Sequence, residues 1–361
     1  MSNVGCQMFL NGQEVRVSEI FVCGTGVVSP AGWGMQPFRD AIARGEALPT
    51  KELPRPGHTP LKVRQVPPAN PRPAFLAHAR LRRTSPIAHY AVSAALEALG
   101  TDAAKVTSGA LRLGIIYCSL TGCVNYSRRF YDEVLKDPST ASPLVFPETV
   151  YNSPASHLAA LIGTTGINYT LVGDPGTFLQ GLALAADWLT DNRVDGCLVI
   201  GAEEMDWLTA GAVNLFERAA VFSDGAGAIY LRQGEKISPV KLNAVSDAQL
   251  FTVRHSRTEL IRRARRDLGE ESENALLCDG LQGVPHWDKD EHSAWNDWSG
   301  KRLSIKAMMG ESLMAAAAWQ CVAAVDALFQ RMHDFANVSI AGTNQQAIAA
   351  QFVNCDRVIT K

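Results

Sequence analysis

Apolar runs of strand length return along this chain, with stretches of helical length between them, and they do so in two successive sets. Leu113 to Tyr117, Tyr169 to Val172, Cys197 to Ile200 and Ala228 to Leu231 make the first set. Val240 to Val245, Ala275 to Cys278, Leu303 to Lys306 and Val338 to Ala341 make the second. Helices are expected at about 178–191, 256–267 and 311–333. Alternating strand and helix implies α/β layers with buried sheets. A length of 361 residues suits two fused or duplicated units better than one simple core. The expected units are residues 1–235 and 236–361.

The first unit has further landmarks. Cys6 to Leu10 and Gln13 to Val17 flank Asn11-Gly12, a hairpin signal because both turn positions accept positive φ. Glu19 to Val28 reads as a buried strand entering the turn Gly24-Thr25-Gly26, and a helix should follow from Met35 to Arg44. Residues 49–74 are rich in proline, which withholds N–H donors from a ladder, so this stretch is expected to be extended or irregular. Ser85 can cap the next helix, Pro86 suits its first turn and Gly100 can end it.

Composition narrows the function classes. A net charge of −2 gives no reason to expect nucleic acid as a partner. The longest apolar runs are too short to span a membrane, and Met1 to Ser18 has no signal-peptide pattern, so a cytoplasmic protein is expected. None of the eight cysteines forms a CxxC pair, and several lie in strand-like runs such as Ile115-Ile116-Tyr117-Cys118. Buried reduced thiols are the reading, rather than a disulfide or zinc framework.

Several segments, in order, resemble the β-ketoacyl-acyl-carrier-protein synthases. Val22-Cys23-Gly24-Thr25-Gly26-Val27-Val28-Ser29-Pro30 is similar to their opening strand and turn. Pro143 to Pro147 and Asn152 to Ala159 resemble the segment before the nucleophile, and Gly166 to Thr170 the strand leading into it. Val199 to Glu204, Phe222 to Ala228 and the closing turn Gly342-Thr343-Asn344 continue the resemblance. It implies the thiolase fold: two similar α/β halves stacked in five layers, αβαβα, in proteins that work as dimers.

A ketosynthase needs a cysteine at the start of a buried helix, where the helix N-terminus stabilises the thiolate. It also needs two histidines to stabilise the enolate and oxyanion. The resemblance places the nucleophile region at Gly173-Asp174-Pro175-Gly176-Thr177, with Pro175 where the cysteine belongs. Neither neighbour restores a thiol, and Thr177 is a weak nucleophile without an evident base. Asp279 stands where the first histidine belongs, in Leu276-Leu277-Cys278-Asp279-Gly280. Glu311 stands where the second belongs, after the retained Lys306 and Gly310. Carboxylates there would oppose an oxyanion unless protonated. Lys306 either pairs with Glu311 or Asp279 and neutralises the old pocket, or survives as scaffold. Asp174, Pro175, Thr177, Asp279, Lys306 and Glu311 are thus expected to converge as a degenerate site with no catalytic residue.

Other features have plainer readings. His157 is expected to be structural, and Cys118 and Cys123 to pack. Pro285 to His292, with two histidines and three acids, is expected to be a solvated loop rather than a metal site. Arg262, Arg263, Arg265 and Arg266 form a basic run on a helix, either solvated or facing an acidic carrier protein. Val124 to Leu135 should be a helix near a dimer interface. Its Tyr126, Phe130 and Tyr131 would line an acyl tunnel, or the first two would fill the chain's own core.

Ketosynthase-like chains without the cysteine resemble chain-length factors of type II polyketide systems. The resemblance implies a non-catalytic subunit that pairs with an active β-ketoacyl synthase. Acyl groups would arrive on the phosphopantetheine of an acyl carrier protein, with no cofactor or metal of the chain's own. Two other readings stay open: an acyltransferase with a rebuilt site using Thr177, Asp279 or Glu311, and a scaffold homodimer.

Overall fold

The computed structural model describes residues 9–10, 13–14, 19–252, 254–269, 274–343 and 345–358. Ten strands carry the architecture: β1 (Glu19–Ser29), β2 (Leu113–Ser119), β3 (Asn168–Val172), β4 (Gly196–Glu203) and β5 (Gly225–Gly234), then β6 (Val240–Val245), β7 (Ala275–Asp279), β8 (Lys301–Ser304), β9 (Phe335–Ala341) and β10 (Gln346–Asn354). The first five lie in the order β1-β5-β4-β2-β3, and the second five in the order β6-β10-β9-β7-β8. Ranked along the chain, both orders are the same. The directions agree too: in each set the first strand pairs antiparallel with the fifth, the fifth antiparallel with the fourth, and the second parallel with both the fourth and the third. This is a duplicated fold at the level of topology. One bridge, Lys241 to Phe21, joins the two sets.

The helices complete the layers: α1 (Met35–Arg44), α2 (Pro86–Leu99), α3 (Val124–Lys136), α4 (Ser153–Ile162), α5 (Thr177–Thr190), α6 (Arg257–Arg266), α7 (Pro285–Ala294) and α8 (Leu313–Phe329). α2 covers the outer face of the first set with α4 beside it, and α6 covers the second set with α7 against it. α5 packs on β4 and β2, and α8 packs on β5 and β4 from one set and on β9 and β7 from the other. The order is therefore helix, sheet, helix, sheet, helix, the αβαβα thiolase layering.

Sequence explains why α8 takes the middle. All residues from Leu313 to Leu328 are buried, and many are alanines, so the helix has no face that needs water and no bulk to hold the sheets apart. β4 meets it closely. A Cβ at Gly201 would lie 2.6 Å from Met314 O and 3.0 Å from Phe178 Cδ2, so only glycine lets the first turns of α8 and α5 meet there. Trp319 Nε1 donates to Val28 O at 3.1 Å and Ala226 O at 3.0 Å, tying α8 to the first sheet. β2 and β4 are buried throughout, as expected for strands covered on both faces.

Several local expectations change. Phe9–Leu10 pairs with Gln13–Glu14, while Asn11-Gly12 lie outside the described residues. The proline-rich stretch contains an antiparallel pair, Lys51–Arg55 with His58–Arg64, and Pro54 falls in the break of register between Leu53 and Arg55. Ser85 precedes α2 but its hydroxyl donates to Glu204 instead of capping the helix. The strand expected at Leu303 to Lys306 stops at Ser304, and Ile305–Met309 is a short helix. The acidic segment expected as a loop is α7, whose buried side includes Glu291 and Ala294.

Candidate functional site

Two turns frame the site, and the duplication makes them equivalent: β3 to α5, and β8 to α8. In the first, Asp174, Pro175, Gly176 and Thr177 are all buried. The Asp174 carboxylate accepts from Gly176 N at 3.1 Å, so it serves the free N–H groups at the head of α5. It also accepts from Gln346 Nε2 at 2.9 Å and Gln346 N at 3.3 Å. Gly342 is required opposite: a Cβ there would sit 1.9 Å from Asp174 Oδ2. Pro175 occupies the helix entry with no ionisable atom, and Thr177 lies a residue inside it.

The second turn is charged. Lys306 Nζ lies 2.9 Å from Glu311 Oε2, with side chains 3% and 1% exposed. Gln282 Nε2 donates to the same oxygen at 2.8 Å, and Leu313 N donates to Oε1 at 2.7 Å. The Glu311 backbone is pinned as well, with Glu311 N donating to Val221 O and Ser223 N donating to Glu311 O. Leu313 takes φ of +45° to begin α8, a left-handed conformation that is strained for a branched side chain and held by these bonds.

Asp279 ends β7, opposite Ser304 of β8 in the parallel register. Ser304 Oγ donates to Asp279 Oδ1 at 2.6 Å, and Arg302 Nη1 lies 3.5 Å from Oδ2. Burial raises the Asp279 pKa against these partners. Next to it, Gly280 N donates to both oxygens of Glu291 at 3.1 Å. Burial, with the Asp279 charge second, pushes Glu291 up to about 7.

The structure thus gathers Lys306 and Glu311 into one buried pair and places Asp279 on the adjoining strand with Arg302. Asp174, Pro175 and Thr177 form a neighbouring group that packs on Gln346. The first turns of α5 and α8 meet across Gly201, but no bond links the two groups. Of the two partners open to Lys306, Glu311 is the one taken. Gln282, Glu291, Arg302, Ser304 and Gln346 belong to the site and escaped sequence reading. Only Glu291 had left a signal, inside the acidic run.

Chemically, the arrangement neutralises itself. A cation and a carboxylate are paired, no thiol stands at the head of α5, and among the described residues no histidine bonds to Asp279, Lys306 or Glu311. Cys118, Cys197, Cys278 and Cys321 are free but buried, and burial raises their pKa values far from neutrality, so they stay thiols. His157 Nε2 lies 2.8 Å from Glu148, a structural contact away from the site. Among the described residues no group of three or more His, Cys, Asp or Glu is placed to hold a metal, and no helix is long and apolar enough to cross a membrane.

The edge of the first sheet is open. Among the described residues β3 has β2 as its sole sheet neighbour, with Tyr169 47% and Val172 53% exposed. The helix expected near the interface is α3, and none of its residues is buried. Tyr126 and Phe130 therefore do not fill the chain's core. Tyr126 lies under Arg129, Phe130 packs on the exposed Phe146 at 5.4 Å, and Tyr131 is 62% exposed. The basic run on α6 is largely spent internally: Arg263 pairs with Glu259, Arg265 with Asp297, and Arg262 donates to Ser293 O.

Comparison with known proteins agrees with this geometry. Residues 175–248, beginning at Pro175, match the family model for 3-oxoacyl-[acyl-carrier-protein] synthase III. No curated protein matches the chain in sequence. Among solved structures, the ishigamide ketosynthase/chain length factor is similar with a TM-score of 0.78 and 16% identity, over 93% of this chain and 99% of that one. A ketosynthase in complex with its chain length factor from Xenorhabdus doucetiae gives 0.76 and 13%, over 95% and 99%. A type II polyketide synthase acyl-carrier protein complexed with its hexaketide-bound ketosynthase gives 0.73 and 14%, over 93% and 99%. The chain has the thiolase fold of the ketosynthases and resembles their chain length factors.

Proposed function

We propose that this chain is a non-catalytic ketosynthase-like subunit of the chain-length-factor type. It pairs with an active β-ketoacyl synthase along β3 and shapes the tunnel for an acyl or polyketide chain delivered by an acyl carrier protein. The observation that carries this reading is Pro175 at the head of α5, where the fold leaves no nucleophile. The buried Lys306–Glu311 pair supports it by filling the place of a catalytic base, and the open, partly apolar edge of β3 supports the pairing. The names of the similar structures point to the same partners.

Co-expression with an intact ketosynthase should give a heterodimer on size-exclusion chromatography. The chain alone should neither release carbon dioxide from malonyl-carrier protein nor acquire an acyl group by intact-mass spectrometry. Turnover by the chain alone that disappears in Thr177→Ala or Glu311→Gln would establish a rebuilt active site instead. A stable homodimer that ignores the ketosynthase would make it a scaffold.

A further inference from the structure

α3 presents a problem of attachment. It bears the aromatics Tyr126, Phe130 and Tyr131, yet none of its residues is fully buried, so hydrophobic burial alone holds it weakly. Polar contacts from residues 203–206, at the carboxyl end of β4, hold it in place. Glu204, 0% exposed, accepts from Asn125 N of α3 at 2.8 Å with one oxygen. With the other it accepts from Ser85 Oγ at 2.5 Å and from Ile87 N of α2 at 3.1 Å. Glu203, also 0% exposed, accepts from Leu120 N at 2.6 Å and Thr121 N at 3.1 Å, holding the turn that feeds α3. Met205 O accepts from Asn125 Nδ2 at 3.0 Å, and Asp206 pairs with Arg128 at 2.8 Å.

We infer that Glu204, with Glu203 beside it, is the positioning residue for α3: a single buried carboxylate bonded into the first turns of both α2 and α3 fixes the aromatic helix to the body of the fold. Two helix N-termini favour an anion at that point. The bonds to backbone N–H groups leave those donors orphaned if the carboxylate is removed. The anchoring stands without a partner. Only its consequence, control of the tunnel wall, rests on the proposed function.

The titratable groups that feel its charge are Tyr90 on α2, Tyr117 on β2, Cys123 and Tyr126 at α3, and Asp224. No Lys, Arg or His among the described residues bonds to Glu204. Burial raises its pKa against the hydrogen bonds from Ser85, Asn125 and Ile87, which favour the carboxylate.

Hydrogen exchange with mass spectrometry on the full chain tests this, following 124–136 against α8 and correcting for the intrinsic exchange rate. In Glu204→Met, an apolar side chain of similar length, protection of 124–136 should fall at least tenfold while α8 keeps its own. Glu204→Gln, which keeps one acceptor oxygen of the two, should lower protection of 124–136 by less than Glu204→Met does. The inference is overturned if Glu204→Met leaves 124–136 as protected as wild type, or loosens α8 equally. It is also overturned if Glu204→Gln loosens 124–136 no more than it loosens α8, a result that decides the matter even where Glu204→Met does not fold.

Discussion

Glu311 and Lys306 show what a buried ion pair demands of its surroundings. Two charges with 1% and 3% exposure are tolerable only together, with Gln282 and Leu313 N completing the carboxylate's bonds. Lys306→Met should therefore cost about 3–5 kcal/mol by leaving Glu311 uncompensated. The double variant Lys306→Met/Glu311→Leu should recover most of that loss. Urea unfolding midpoints measure both, and a single variant as stable as wild type would contradict the pairing. Pro175→Cys should fold but give no condensation product in a malonyl-carrier-protein assay, because Asp279 and Glu311 cannot supply the two neutral or cationic donors an oxyanion requires. Pro175, Asp279 and Glu311 were singled out in the sequence by the family resemblance of the segments around them. Their partners were not. Ser304 meets Asp279 only through the parallel register of β7 and β8, a fact no linear spacing conveys.

At the scale of single elements, β3 has the most to say about assembly. A five-residue strand at the end of a sheet, with Tyr169 and Val172 outward, offers unpaired backbone groups to a second chain. Val172→Lys should abolish heterodimer formation on size-exclusion chromatography while leaving the thermal midpoint of the isolated chain within about 2 °C, since surface changes alter stability little. Retained pairing would move the interface elsewhere. The strand was readable from its apolar run, whereas β10 was not. Gln346 to Asn354 contains three alanines and two glutamines, residues that favour a helix on propensity alone, and only its place between β6 and β9 makes it a strand. α7 went the other way: its charges suggested a solvated loop, but Asp288 accepts from Gln282 N and Val284 N at 2.9 Å and anchors the helix start.

Taken whole, the molecule buries three carboxylates, Glu203, Asp224 and Glu291, that no described cation pairs with, which reverses the usual dependence of stability on pH. Burial pushes Glu203, Asp224 and Glu291 up to about 7. Between the ordinary carboxylate range and pH 7 the folded chain holds these protons and the unfolded chain does not. Stability should thus fall as pH rises from 5 to 7.5, by about 1.4 kcal/mol per pH unit for each group titrating. Carboxylates held low, such as Asp102 and Asp195, act only below that window. Unfolding free energy that climbs over the same range would refute the assignment. The matched strand orders carry a further consequence. Each set of five strands gives one helix to a shared middle layer, and among the described residues the two sheets are joined edge to edge only at Lys241 and Phe21. Neither piece can bury α5 or α8 without the other, so a chain cut between Gly234 and Val240 should yield two insoluble fragments apart and one native complex when refolded together, a molecule that works as its own complementation pair.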